Sequence, residues 1–143
     1  MKVSVLIILA FTFFNCKKNR SANDISGTWK MVYAEIIEND STTVKDLSHT
    51  EFIKIINDSH FAFLNQDLNN DENFYGGGGT YLLNDEDYQE VLSYTSAKHF
   101  KDHKFSFKVH FKGDTLIQTG LEHIKEAGIN RIITEKYIKV KSN

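Results

Sequence analysis

From Gly27 onward, apolar and polar residues alternate along most of the chain with a period of two. The clearest segment is 104–112, where Phe105, Phe107, Val109 and Phe111 are separated by lysine, serine and histidine residues. This period is typical of a β-strand with one face in a core and the other in water. The pattern therefore predicts half-buried antiparallel strands.

A short turn, Gly113-Asp114, follows that segment and predicts a hairpin. Counting outward from the turn pairs Phe111 with Leu116, Val109 with Gln118, and Phe107 with Gly120. Gln118 then lies on the apolar face. A polar side chain in that position needs a hydrogen-bonding partner or a ligand.

The same criteria predict eight strands, and turn-forming residues or short loops separate most of them. A helical turn is expected within 121–130, with Gly128 at its end. So many sequential strands favour a closed up-and-down barrel or a two-sheet sandwich, and closure removes exposed strand edges. We therefore predict an all-β, eight-stranded antiparallel barrel. Its strands are residues 28–35, 51–56, 60–64, 74–83, 88–95, 104–112, 115–121 and 132–140.

The first residues have a different pattern. Lys2 precedes an almost continuous apolar run, residues 3–14, and a strongly polar segment follows it. The run is too short for a membrane-spanning helix but suits the core of a signal peptide. Cys16, the single cysteine of the chain, stands at the junction. This arrangement resembles a bacterial lipoprotein signal, which implies that Cys16 is lipidated.

This interpretation divides the chain into a signal peptide (1–15), a lipidated cysteine with a polar tether (16–25) and one barrel domain (26–143). Two or more acyl chains are enough to hold a protein on a membrane. Lys17 follows the cysteine, where some lipoproteins that stay in the inner membrane have aspartate. We therefore expect a lipid-anchored protein of the cell envelope, at the outer membrane.

Composition narrows the function classes. The 143 residues carry 17 basic and 19 acidic side chains, a net charge of −2, which is no electrostatic footprint for nucleic acid. An apolar content of 41% excludes intrinsic disorder. A single cysteine excludes an intrachain disulfide framework.

Gly27-Thr28-Trp29, at the start of the first strand, resembles the Gly-x-Trp signature of lipocalins and related calycins. The order and spacing of segments 74–81, 88–90, 94–96, 105–109, 113–116 and 135–139 extend this likeness to uncharacterised lipocalin-like lipoproteins of Gram-negative bacteria. The resemblance implies that Trp29 packs across a closed end of the barrel under a basic side chain. Lys139 and Arg131 are the two candidates for that side chain.

Polar residues on inward faces mark a candidate pocket. Tyr88, Glu90 and Tyr94 share the face of Leu92 on one predicted strand, and a buried carboxyl is costly unless it is hydrogen-bonded. One interpretation is a polar network that fixes the barrel register. The other is a small-molecule site with aromatic walls and a few convergent polar groups. Its predicted ligand-binding residues are Tyr88, Glu90, Tyr94, Phe107, Gln118 and Tyr137, and Glu135 joins them if its face also points inward.

Other motifs give little chemistry. Glycines 76–79 lack the lysine and the helix of a phosphate-binding loop and are better explained by a bulge or close backbone approach. His99 and His103 lie in a predicted loop without an evident third ligand, so no metal or cofactor is expected. No catalytic constellation can be identified from spacing, so we expect no enzymatic activity.

These observations predict a membrane-anchored lipocalin-like lipoprotein that binds a small, partly hydrophobic ligand in its barrel without catalysis. The alternative is an interaction module with a filled core, whose partner is another envelope protein. A third, weaker alternative is an enzyme on the same scaffold. A cavity in the barrel favours the first hypothesis, and a filled core favours the second.

Overall fold

The computed structural model describes residues 25–70 and 72–141, which form nine β-strands. The predicted signal peptide and Cys16 lie outside the described residues. Within these residues, no helix is long and apolar enough to cross a membrane. The strands are β1 (Gly27–Glu38), β2 (Ser41–Val44), β3 (Thr50–Ile56), β4 (His60–Asp67), β5 (Phe74–Asn84), β6 (Asp87–Thr95), β7 (His103–Lys112), β8 (Thr115–Ile124) and β9 (Ile129–Lys139).

Eight of these strands form a closed antiparallel barrel, which confirms the predicted fold class. Each strand from β3 to β9 pairs with the next along the chain, and β1 pairs with both β3 and β9 to close the sheet. β2 is an additional short strand that was not predicted, and it pairs with the second half of β1. All four of its residues are exposed, so the segment carries no core-facing apolar pattern.

The predicted hairpin register is confirmed. Phe111 pairs with Leu116, Val109 with Gln118, and Phe107 with Gly120 across β7 and β8. Gly113 in the turn has φ of 62°, a left-handed conformation that glycine adopts without steric cost. Short 3₁₀ turns occupy Lys98–Phe100 and Lys125–Ala127, and Gly128 ends the second as predicted.

A β-bulge interrupts the pairing of β5 and β6. Gly78 pairs with Tyr94 and Gly79 with Leu92, so Ser93 is an extra residue on β6. A Cβ atom on Gly79 would lie 1.8 Å from the carbonyl oxygen of Val91. The glycine run therefore permits close backbone approach, in agreement with its structural interpretation.

The two ends of the barrel differ. Trp29 is fully buried at one end, where its indole nitrogen donates a hydrogen bond of 2.7 Å to the carbonyl of Ile25. Of the two candidate cations, Lys139 is the one above the indole, with Nζ 5.4 Å from the ring centroid. The same ammonium donates to the carbonyl of Ser26 at 2.8 Å. These contacts close this end, and the interior of the barrel is hollow toward the other end.

Candidate functional site

A cavity of about 390 Å³ lies inside the barrel. This volume falls in the usual range for small-molecule sites, about 300–1,000 Å³. Its walls are mainly apolar, because the inward positions of the strands carry large hydrophobic side chains. The apolar lining consists of Met31, Ala34, Ile36, Phe52, Phe61, Phe63, Leu92, Ala97, Phe100, Phe105, Phe107 and Ile133.

Two pairs of stacked aromatic rings form parts of the cavity wall. Phe52 and Phe63, on adjacent strands, are stacked with ring centroids 5.6 Å apart. Phe105 and Phe107 are likewise stacked on β7, at 6.4 Å. Such rings remove a large apolar area from water when a ligand covers them, and they favour flat or aromatic partners.

Polar side chains cluster at the deep end of the cavity. On β3, β6, β8 and β9, the lining residue closest to the Trp29 end is polar in each case. We refer to this cluster as the polar floor, which consists of Lys54, Glu90, Gln118, Glu135 and Tyr137.

Lys54 is the centre of the polar floor. Its side chain is 4% exposed, and its ammonium forms an ion pair with Oε1 of Glu90, whose side chain is 9% exposed. The ammonium also donates a hydrogen bond of 2.9 Å to Oε1 of Gln118. Because both charges are buried, each depends on the other for compensation.

Three aromatic rings surround the Lys54 ammonium. Its nitrogen lies 5.2 Å from the ring centroid of Tyr88, 5.5 Å from that of Phe61 and 5.8 Å from that of Tyr137. Ring faces attract cations at this range. The rings thus cover the cation on the sides that Glu90 and Gln118 leave open.

Glu135 is the second carboxylate of the polar floor. Its Oε2 accepts hydrogen bonds from Gln118 Nε2 at 3.2 Å and from the Tyr137 hydroxyl at 2.7 Å. Burial raises the pKa of Glu135, and the nearby Lys54 ammonium opposes that shift. Burial and the Glu135 carboxylate raise the pKa of Tyr137 well above its usual value, so its hydroxyl stays protonated and donates.

Charged residues also line the opposite end of the cavity, which we call the rim. Arg131 Nε donates to Glu122 Oε2 at 2.5 Å, from β9 to β8. Lys45 Nζ donates to Oδ1 of the buried Asn65 at 3.4 Å. Burial lowers the pKa of Lys45, and the charge of Glu135 opposes this shift.

The structure brings four of the six predicted ligand-binding residues to the cavity: Glu90, Phe107, Gln118 and Tyr137. Tyr88 is 1% exposed but lies behind the lining, and its hydroxyl has no hydrogen-bond partner among residues 25–70 and 72–141. The inward placement of Tyr94 was wrong, because its side chain is 71% exposed. The extra residue at Ser93 reverses the alternation, so Tyr94 points out and Thr95 lines the cavity.

Lys54 is the main site residue that sequence reasoning missed. Its segment carries apolar residues at both parities (Phe52, Ile53, Ile55 and Ile56), so alternation does not identify the inward face. One signal was present: an inward Glu90 requires a buried cation or donor, and Lys54 is a lysine in the middle of a predicted strand.

The polar floor can bind polar groups but has no arrangement typical of metal chemistry. No group of three or more histidine, cysteine, aspartate or glutamate side chains in the described ranges is placed to hold a metal ion. His99 and His103 lie at a 3₁₀ turn and at the start of β7.

The fold and the site define a class: a small, closed, eight-stranded antiparallel β-barrel with an internal cavity. The family described as Domain of unknown function (DUF4488) matches residues 24–143, so the chain belongs to that family. The match covers every strand of the barrel. A comparison with curated proteins gives no match.

Proposed function

We propose that this protein is a lipocalin-like binding protein that holds a small, partly hydrophobic ligand in its barrel without chemical conversion. The observation that carries the proposal is the cavity of about 390 Å³ with aromatic walls and a polar floor. The interaction-module hypothesis requires a filled core. Instead, side chains such as Met31 and Phe107 line open space inside the barrel, which favours ligand binding.

The binding energy would come mainly from the walls. Covering apolar surface contributes about 25 cal/mol per Å² removed from water. The ion pair, hydrogen bonds and packed rings of the polar floor hold its side chains in place before a ligand arrives. A site that is already ordered loses less conformational entropy on binding.

Native mass spectrometry of the protein purified from the membranes of its own host tests the proposal. We expect a discrete added mass on the folded domain, distinct from any acyl chains on Cys16. A domain that carries no such mass and binds no small molecule on screening would overturn the proposal. Cross-linking to an envelope partner would then be the next measurement.

A pair of matched variants connects the added mass to the cavity. Ala34→Phe inserts a ring into the lining, whereas Ala62→Phe adds the same ring on the outer face of β4. We expect the first variant to lose the added mass and the second to retain it. Retention by both would place the bound molecule outside the barrel and contradict the proposal.

We further propose that Cys16 is lipidated and anchors the barrel at the outer membrane. The support is the charged start, the apolar run and the single cysteine at its end. A Cys16→Ser variant should lose the acyl mass and leave the membrane fraction, and Ser21→Ala should behave as the wild type. Membrane association of Cys16→Ser without acyl mass would contradict this anchor.

A further inference from the structure

The hydrogen-bonding capacity of the polar floor restricts the chemistry of its ligand. Both side-chain groups of Gln118 are in use: Oε1 accepts from Lys54, and Nε2 donates to Glu135. The Tyr137 hydroxyl donates to Glu135. The Lys54 ammonium is engaged by Glu90 and Gln118 and is surrounded by aromatic rings. Each donor group of the polar floor therefore already has an acceptor within the protein, and one N–H of Lys54 and one of Gln118 lie outside these contacts.

Acceptors remain available. Both hydrogen bonds to Glu135 end on Oε2, and the ion pair of Glu90 ends on Oε1. Each carboxylate thus has a second oxygen outside these contacts, Oε1 of Glu135 and Oε2 of Glu90, and the buried Tyr88 hydroxyl also lies beside Glu90. Glu135 and Glu90 both line the cavity.

The charges of the polar floor also favour a ligand that donates hydrogen bonds. The polar floor contains two carboxylates, Glu90 and Glu135, but only one ammonium, Lys54. The next cation toward the rim is Lys45, and no ion pair joins it to Glu135 in the part of the chain that the structure describes. An ionised Glu135 therefore has no direct ion-pair partner among the described residues, and its burial raises its pKa. A ligand cation beside it would supply that counter-charge.

We infer that the ligand is an organic amine, whose ammonium group is received by Glu135 Oε1 and Glu90 Oε2 while its apolar part lies against the phenylalanine walls. This inference rests on the proposed function and specifies its ligand class. An ammonium supplies both donors and the missing positive charge. Tyr137 and Phe52, with ring centroids 6.3 Å apart beside the polar floor, add ring faces that attract a cation.

Three probes of matched shape test the inference: 2-phenylethylamine, 2-phenylethanol and 3-phenylpropionate, titrated calorimetrically into the full protein at neutral pH. We expect the amine to bind about tenfold more tightly than the alcohol, because charge-assisted hydrogen bonds are stronger than neutral ones. The carboxylate should bind most weakly, since the side chains of Glu90 and Glu135 at the polar floor repel a negative charge.

A variant that removes one charge tests whether Glu135 causes the preference for the amine. Glu135→Gln should reduce the affinity for the amine to that for the alcohol, whereas Glu51→Gln should preserve the preference. Glu51 is a suitable control because it pairs with Lys30 on the outer surface, with 42% of its side chain exposed. The wild-type ranking of the three probes decides the inference even if Glu135→Gln folds poorly.

The possible failures are distinguishable. Tightest binding of 3-phenylpropionate would place the charged group at Lys45 and Arg131 on the rim, and equal affinities would show no charge selection. Either result overturns the inference and leaves the proposed function standing. No binding of any probe overturns the inference, and if native mass spectrometry also finds no added mass, the proposed function fails with it.

Discussion

The ammonium of Lys54 and the carboxylate of Glu90 form an ion pair inside the barrel, between strands that are not neighbours in the sheet. Lys54 comes from β3 and Glu90 from β6, and neither residue has more than 7% of its surface exposed. Two charges in such a position depend on each other, because the penalty for an isolated buried charge is several kcal/mol.

Removing one member of this pair should therefore destabilise the fold strongly. Lys54→Met leaves Glu90 without its counter-charge, and we expect the free energy of unfolding in urea to fall by about 3–5 kcal/mol. Lys30→Met is the control, since Lys30 pairs with Glu51 at the surface and its loss should cost under about 1 kcal/mol. Adding Glu90→Met to Lys54→Met should recover most of the loss. Equal costs for the two lysine variants would contradict a mutually dependent buried pair.

The closed end gives a second prediction. Lys139→Met removes the cation above Trp29 and the hydrogen bond to Ser26, so unfolding followed by the fluorescence of Trp29 should show a loss of about 1–2 kcal/mol. Lys136→Met is the matched control on the same strand, where the ammonium lies 4.2 Å from the ring centroid of the partly exposed Tyr33. Its cost should be smaller. If both variants unfold alike, Lys139 contributes no more to stability than Lys136 does.

Backbone proximity at the bulge makes Gly79 the least replaceable glycine. A Cβ atom there would meet the backbone of Val91 and Ser93, so Gly79→Ala must shift two strands. We expect a loss of about 4 kcal/mol or more, or failure to fold. Gly113→Asn should cost under about 1 kcal/mol, because nothing lies within 4 Å and asparagine tolerates the left-handed conformation. A folded Gly79→Ala protein of normal stability would contradict this close approach.

Glu135 should make stability depend on pH. Burial raises its pKa in the folded state, so the folded protein holds that proton more tightly than the unfolded chain does. The resulting stabilisation is complete below the unfolded pKa and is lost as pH rises through the folded pKa. Glu135→Gln cannot ionise, so its stability relative to the wild type should increase as pH rises from the unfolded pKa, about 4, through the folded pKa.

The measurement for that prediction is a series of urea unfolding curves for both proteins across this range. The groups whose charge or hydrogen bond acts on Glu135 are unchanged in the variant, so the difference isolates its own titration. These groups are Lys54, Tyr137, Glu90, Glu122, Gln118 and Lys45. A difference that is constant with pH would show that Glu135 has the same pKa in both states.

Most of the strands were predictable because alternating residues or flanking turn residues mark them, and β7 has the clearest alternation. The predicted residue pairs between β7 and β8 were correct, since the two-residue turn that joins these strands fixes their register. β2 was missed because its four residues, Ser41–Val44, are all exposed and have no alternation to detect. It pairs with the second half of β1 across the tight turn at Asn39 and Asp40, which have φ of 50° and 60°.

The candidate site was only partly predictable. Glu90 and Gln118 were identified because a polar residue on an otherwise apolar face is conspicuous. Lys54 was not, because a lysine between isoleucines is compatible with either face. Tyr94 was misplaced by an insertion of one residue on β6, and such a bulge depends on how the backbone of Gly78 and Gly79 approaches the neighbouring strand.

The closed end also determines how the molecule can be handled. Ile25 is hydrogen-bonded to Trp29, and Val140 N donates to the carbonyl of Thr28 at 2.8 Å. Both ends of the folded chain therefore leave the barrel at the same pole, opposite the rim. A dye, a solid support or a second domain attached at this pole would leave the rim of the cavity unobstructed. The barrel is therefore a natural starting point for a surface-mounted chemical sensor.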